Sequence, residues 1–344
     1  MRRYGAEPLD FSVNCSALGT PPAVLEAVRR ALPRDAWQYP DRQCRRLREA
    51  LAARLGVPEG WILCGGGAAD LIFRLMLWKR PARALLTAPT FCEYEAALTA
   101  AGGRAEYFDL KPENGFALGP DYLDRLEGGA ELAVLCNPNN PTGRTADPGL
   151  LRQAVARCGQ RGVTLLVDEC FNGFLDQPER HTLVPLLGQN PHLVLLGAFT
   201  KLYGMAGLRL GWCLCSDPAV LEGMAAAGPS WGVSSVAQTA GVAALGETEF
   251  VRHTRDLTGR ERTFLTRELA ALGLRVFPAE ANYLLLYSPA AGLAQGCARR
   301  GVLVRSCGDY RGLSDHYLRV AVRTHDENLR LLKVLAAALE EADA

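Results

Sequence analysis

The sequence predicts an α/β protein: a large domain with a mostly parallel sheet covered by helices, plus a small α+β domain. Three observations carry this. The middle of the chain alternates continuous apolar runs with amphipathic stretches, the pattern of a parallel sheet buried on both faces. The apolar runs end in polar or small residues, Asn137-Pro138-Asn139-Asn140, Asp168-Glu169 and Thr200-Lys201. The length, 344 residues with 49% hydrophobic and 22% charged, suffices for about two domains with a full core and no covalent staples.

The predicted strands of the large domain are Ala84–Thr87, Leu132–Cys136, Thr164–Asp168, Leu193–Phe199 and Leu210–Cys215. Between them, Pro148–Gln160 and Pro218–Ala226 carry apolar residues every three or four positions and read as helices. The last hundred residues differ. Strand signals at Tyr283–Tyr287, Val302–Arg305 and Tyr317–Val322 mix with helices at Thr248–Leu272 and Asp326–Ala342. This gives a division into an N-terminal segment (1–35) that packs with the small domain, a large domain (36–245) and a small C-terminal domain (246–344). The arginine-rich stretch Arg42–Arg54 alternates with Leu47, Leu51 and Leu55, and reads as a solvated helix face.

Composition excludes several classes of function. Lys and Arg number 38 against 37 Asp and Glu, a formal charge of +1. Wholesale nucleic-acid binding needs a basic face, so none is expected. The longest apolar runs fall far short of the roughly 20 residues that span a bilayer, so no membrane span is expected. The two arginines after Met1 lack the apolar core of a signal peptide. Eleven cysteines are scattered without a CxxC pair, which predicts free thiols in a reducing, cytoplasmic setting. The five histidines show no metal-ligand spacing.

Since ligands of open α/β sheets bind at the carboxyl ends of strands, the strand tips are where chemistry is expected. Asn140 lies in the turn-dense loop Asn137–Gly143, Asp168 follows it by 28 residues, Lys201 ends another strand, and Arg209 stands 8 residues beyond Lys201. Together they supply an amide, a carboxylate, an amine and a guanidinium. That set suits pyridoxal 5'-phosphate. The amine can form a Schiff base with its aldehyde, the carboxylate can keep its ring nitrogen protonated, the amide can donate to its phenolic oxygen, and the guanidinium can fork onto its phosphate. The glycine run Gly65-Gly66-Gly67-Ala68-Ala69 could cradle the same phosphate at a helix N-terminus. It is equally compatible with an ordinary strand–helix turn.

These motifs, in combination, carry a family resemblance. The chain resembles the fold-type-I pyridoxal-phosphate enzymes of the class I/II aminotransferase family, from about Leu9 to Leu335. It is most similar to the branch holding histidinol-phosphate aminotransferases and threonine-phosphate decarboxylases. The resemblance implies roles: Lys201 as the Schiff-base lysine, Asp168 at the ring nitrogen, Asn140 at the phenolic oxygen, and Arg209 with Gly67, Ala68 and Ala69 at the phosphate. It implies that Phe91, otherwise a plain core residue, stacks on the cofactor. Tyr39 would reach across a homodimer interface to the neighbour's phosphate and substrate. Arg319 would bind the substrate carboxylate, Arg305 the distal substrate group, and Asn14 would cover the substrate end.

Several strings resemble threonine-phosphate decarboxylases in particular: Leu9–Asn14, Thr200–Tyr203, Trp231–Ser234 and Arg319–Thr324 with Glu327-Asn328, together with Phe171 in place of a tyrosine. The implied reaction removes carbon dioxide from L-threonine O-3-phosphate, giving (R)-1-amino-2-propanol O-2-phosphate for cobalamin biosynthesis. The alternative is an aminotransferase of the histidinol-phosphate type. Either way the partner is a small phosphorylated substrate. The chain departs from the family pattern at Ala198, where serine is usual, at Ala68 and Ala69, where hydroxyl or carboxyl side chains are usual, and at Ser16-Ala17, where Asn and Pro are favoured.

Overall fold

The computed structural model describes residues 8–343; residues 1–7, on which the signal-peptide reading rests and with which the N-terminal segment begins, lie outside them. Strand β1 (Leu9–Asp10) opens the described chain. Seven strands then build one sheet: β2 (Ile62–Gly65), β3 (Arg83–Ala88), β4 (Arg104–Asp109), β5 (Leu132–Cys136), β6 (Thr164–Asp168), β7 (Leu193–Ala198) and β8 (Gly211–Leu214). Their order is β2-β8-β7-β6-β5-β3-β4. The pairs among β3 to β7 are parallel, while β8 runs antiparallel to both β7 and β2.

That topology gathers the chemistry. In the parallel trio β5-β6-β7, Cys136 is level with Asp168 and Asp168 with Leu196, so the loops after all three strands emerge side by side. Because β8 is reversed, its first residue, Gly211, pairs with Ala198 on one side and Gly65 on the other. Arg209, just before β8, and the glycine loop, just after β2, therefore join the same edge.

Strands β5, β6 and β7 are apolar and buried along nearly their whole length because helices cover both faces. On one face lie the helices Ala68–Lys79, Glu93–Ala100 and Pro218–Ala226, packing Leu71, Ile72 and Leu98 onto Leu166, Val194 and Leu196. On the other lie Arg45–Leu55, Pro148–Arg161 and Ser235–Leu245, with Leu47, Leu151 and Ala240 against Leu165 and Leu195. Gly197 is obligatory in β7, since a Cβ there would sit 2.1 Å from the Trp212 ring.

The C-terminal part contains β9 (Arg275–Val276), β10 (Tyr283–Tyr287), β11 (Val302–Leu303), β12 (Arg305–Ser306) and β13 (Tyr317–Ala321). The antiparallel order is β12-β13-β10-β9, and β11 pairs instead with β1. The run predicted as one strand, Val302–Arg305, is thus split because it serves two sheets. Phe11 is fully buried among Leu265, Leu286, Val320 and Leu335. The helix Pro22–Asp35, also of the N-terminal segment, lies on Ser235–Leu245 of the large sheet's cover. Strands β2 and β4 were not among the predicted ones. Edge strand β4 is mostly half-buried and reads Arg-Ala-Glu-Tyr-Phe-Asp, without the continuous apolar run of its neighbours.

Candidate active site

A cavity of about 330 Å³ opens at the carboxyl edge of the large sheet, lined by Lys201, Asp168, Asn140, Arg209, Ala68, Ala69, Phe91, Arg305, Arg319 and Asn14 among others. Lys201 sits in the short helix Phe199–Leu202 directly after β7. Its turn is pinned by the N-terminal segment: the backbone N–H of Ser16 donates to the Lys201 carbonyl at 2.8 Å, and the Cys15 thiol to the Thr200 carbonyl at 3.3 Å. The Lys201 Nζ stands 5.9 Å from the Phe171 ring centroid.

Asp168 ends β6 with 5% of its surface exposed. Its Oδ1 accepts from the backbone N–H of Cys170 at 2.9 Å, and its Oδ2 from the Tyr94 hydroxyl at 2.7 Å. Among the described residues it forms no salt bridge. A buried carboxylate without a cation is costly, so this one is suited to a cationic group that enters the cavity. Burial pushes the neighbouring Cys170 thiol well up, and the Asp168 charge adds to it.

The phosphate cradle is built on backbone. Gly67 caps the helix Ala68–Lys79 at φ 98° and ψ 168°, a region open essentially to glycine alone. A Cβ on Gly67 would meet Arg209 Nη2 at 2.8 Å, so the guanidinium lies against the helix N-terminus. Two positive elements thus converge, and among the described residues the Arg209 guanidinium donates only to the Ala206 carbonyl, at 3.4 Å. This geometry calls for an anion. Asp70, in the helix's first turn, accepts from the Gly66 N–H at 2.8 Å and pairs with buried Arg74 at 2.9 Å, which fixes the loop from below. Amine, buried carboxylate and anion cradle together fit pyridoxal phosphate.

Arg319 is 7% exposed and has no acidic partner among the described residues. It donates to Asn140 Oδ1 and, at 2.7 Å, to the Ser12 carbonyl. With the Asn14 amide oriented to satisfy its neighbours, Asn14 Oδ1 accepts from Arg319 Nε at 3.1 Å. Asn140 is therefore held by its oxygen, which leaves its Nδ2 donors for the cavity. Arg305 is directly opposite Arg319 across β12 and β13. It pairs with Asp309 at 2.6 Å and lies over the Tyr310 ring at 5.3 Å. Phe91 meets Tyr94 edge-on at 5.7 Å.

Tyr39 is the one sequence-expected residue placed elsewhere. It is 81% exposed, lies tilted against Trp231 with ring centroids 4.8 Å apart, and lines a separate surface trough of about 640 Å³ bordered by Arg46, Gln238 and Thr239. Sequence reasoning did not find Tyr94, Ser12, Asp70, Arg74 or Asp309. For Asp70 and Arg74 the spacing of four residues on one helix was a usable signal, and Asp309 likewise stands four residues after its partner Arg305; Tyr94 and Ser12 depend on contacts between distant elements. Among the described residues, no cluster of metal-binding side chains is present, and no helix is long and apolar enough to cross a membrane.

Fold and site together define a fold-type-I pyridoxal-phosphate protein. The family model "Aminotransferase class I and II" matches residues 6–335. The chain is 35% identical to threonine-phosphate decarboxylase of Salmonella typhimurium, over 96% of this chain and 91% of that one. It is 36% identical to histidinol-phosphate aminotransferase of Symbiobacterium thermophilum, over 95% and 90% respectively. Among solved structures, histidinol-phosphate aminotransferase from Clostridium acetobutylicum shares the fold with a TM-score of 0.90 at 23% identity, covering 97% of this chain and 99% of that one. The chain belongs to the class I and II aminotransferase family, and it is an enzyme whose cofactor is pyridoxal phosphate.

Proposed function

We propose that this enzyme decarboxylates L-threonine O-3-phosphate, or a close phosphorylated amino acid, to (R)-1-amino-2-propanol O-2-phosphate. The supporting observation is the pair Arg305 and Arg319, directly opposite each other on adjacent strands at one cavity. Like charges so placed are destabilising on their own, and they suit a substrate with two anionic ends. Arg319, buried and without an acidic partner among the described residues, takes the carboxylate; Arg305, with Tyr39 of a second copy, takes the phosphate. The choice of decarboxylation rests on the 35% identical relative and on the threonine-phosphate-decarboxylase-like strings that include Phe171.

When bound, pyridoxal phosphate supplies an electron sink for whichever bond at the substrate Cα stands perpendicular to its ring. Asp168 would hold the ring nitrogen, Asn140 Nδ2 the phenolic oxygen, Arg209 with the Gly67–Ala69 backbone the phosphate, and Phe91 one face of the ring. Lys201 would join the cofactor and, when released as a free amine, return a proton to Cα. Arg319 orients the carboxylate, so its bidentate grip selects the bond that breaks. The working unit in this reading is a homodimer, in a reducing cytoplasm that keeps the eleven thiols free.

The test is direct. Holoenzyme given L-threonine O-3-phosphate should release one carbon dioxide per substrate without any 2-oxo acid, and Lys201→Ala should release none. The 36% identical relative favours the second reading, an aminotransferase of the histidinol-phosphate type. Turnover that requires a 2-oxo acid acceptor, with no carbon dioxide, would establish it instead.

A further inference from the structure

The Asp168 carboxylate is anchored from two elements. One anchor is local, the Cys170 N–H on Oδ1, two residues along the same chain segment. The other comes from 74 residues away: the Tyr94 hydroxyl on Oδ2, carried by the helix Glu93–Ala100. Tyr94 is fully buried in the apolar cluster beneath the cavity, with its ring held edge-on by Phe91. Burial and the Asp168 charge push its phenol well up, so it remains a neutral donor. A phenylalanine would satisfy the packing alone; the buried hydroxyl has Asp168 as its partner.

We propose that Tyr94 is a positioning residue for the cofactor: its hydroxyl fixes the rotation of the Asp168 carboxylate and keeps the shared proton on the cofactor's ring nitrogen. The inference rests on the assignment of Asp168 to that nitrogen. Two arrangements compete, a carboxylate facing a protonated nitrogen and a neutral acid facing an unprotonated one. A donor on Oδ2 stabilises the charged carboxylate, and so the first arrangement. The Cys170 N–H is on the other oxygen, Oδ1, so it does not replace the hydroxyl on Oδ2 when the phenol is gone. Both effects of losing the hydroxyl, a freer carboxylate and a less stabilised charge, move the proton away from nitrogen.

The experiment uses holoprotein reconstituted with pyridoxal phosphate labelled with ¹⁵N in the ring. In Tyr94→Phe, which keeps the ring and its contact with Phe91, the ¹⁵N resonance should move toward the unprotonated position at constant pH. Apoprotein titration should show cofactor retention weakened about tenfold, as befits one charge-assisted hydrogen bond. In an Asp168→Asn background the same substitution should leave retention within about twofold, whereas a merely structural loss would weaken it equally in both backgrounds. A resonance unmoved in Tyr94→Phe but moved in Asp168→Asn overturns the role of Tyr94 and spares the assignment of Asp168. A resonance unmoved in both overturns the two together.

Discussion

Gly67→Ala should disable the phosphate cradle while leaving the fold standing. The perturbation has two parts that act on different observables. The backbone at φ 98° and ψ 168° is strained for any residue with a Cβ, at a cost of about 1–3 kcal/mol. That strain is present with or without cofactor, so it lowers stability rather than affinity. The second part is steric. The new Cβ would lie 2.8 Å from Arg209 Nη2, the far end of a flexible side chain. The guanidinium therefore swings away cheaply, but it leaves the phosphate. Losing its charge-assisted bonds removes about 1.5–3 kcal/mol each, so a two-pronged contact accounts for roughly 3–6 kcal/mol. Cofactor retention should then fall at least about a hundredfold, while thermal unfolding of the apoprotein drops by only a few degrees. Equilibrium titration of apoprotein with pyridoxal phosphate measures the first quantity, and calorimetry the second. Retention within threefold of the parent would show that Arg209 and the helix N-terminus do not hold the phosphate, and the reasoning would fall.

Arg319→Met should lower kcat/KM for L-threonine O-3-phosphate by about 10²–10⁴, from the loss of two charge-assisted bonds worth about 1.5–3 kcal/mol each; a change below tenfold would place the carboxylate elsewhere. Asp309→Asn frees Arg305 from its ion pair and should lower KM up to about fivefold, since a partly exposed pair is worth at most about 1 kcal/mol; an unchanged or higher KM would argue against Arg305 as a phosphate ligand. Glu169, buried beside Asp168, accepts from Thr182 and Leu183, yet burial pushes it up to about 7 from 4.5. The native state thus keeps a proton that the unfolded chain releases, so stability should fall as pH rises from about 4.5 to about 7, by on the order of 3 kcal/mol, and then level off. Urea unfolding at pH 5 and pH 7.5 should show this fall in the parent and not in Glu169→Gln; equal pH slopes would refute it.

The central strands were legible because their signal is local. Leu132–Cys136 and Thr164–Asp168 are continuous apolar runs, and the structure has strands with those same bounds. The helix Pro218–Ala226 also matches its apolar spacing. Edge strand β4 was not legible, because a half-buried edge does not need an unbroken apolar sequence. The split of Val302–Arg305 was not legible either, since nothing within four residues says that two partners compete for them.

For the site, the sequence by itself determined which chemical groups stand at strand ends: Asn140, Asp168, Lys201 and Arg209. Their convergence follows once β5, β6 and β7 are parallel neighbours, because parallel strands place all their carboxyl ends on one edge. Tertiary structure alone decided how those groups are held. Tyr94 on Asp168, Arg319 on Asn140 and Asn14 on Arg319 are hydrogen bonds set by how separate elements pack. The reach of such a contact is a few ångströms in space, and it leaves no fixed interval along the chain for a sequence to display.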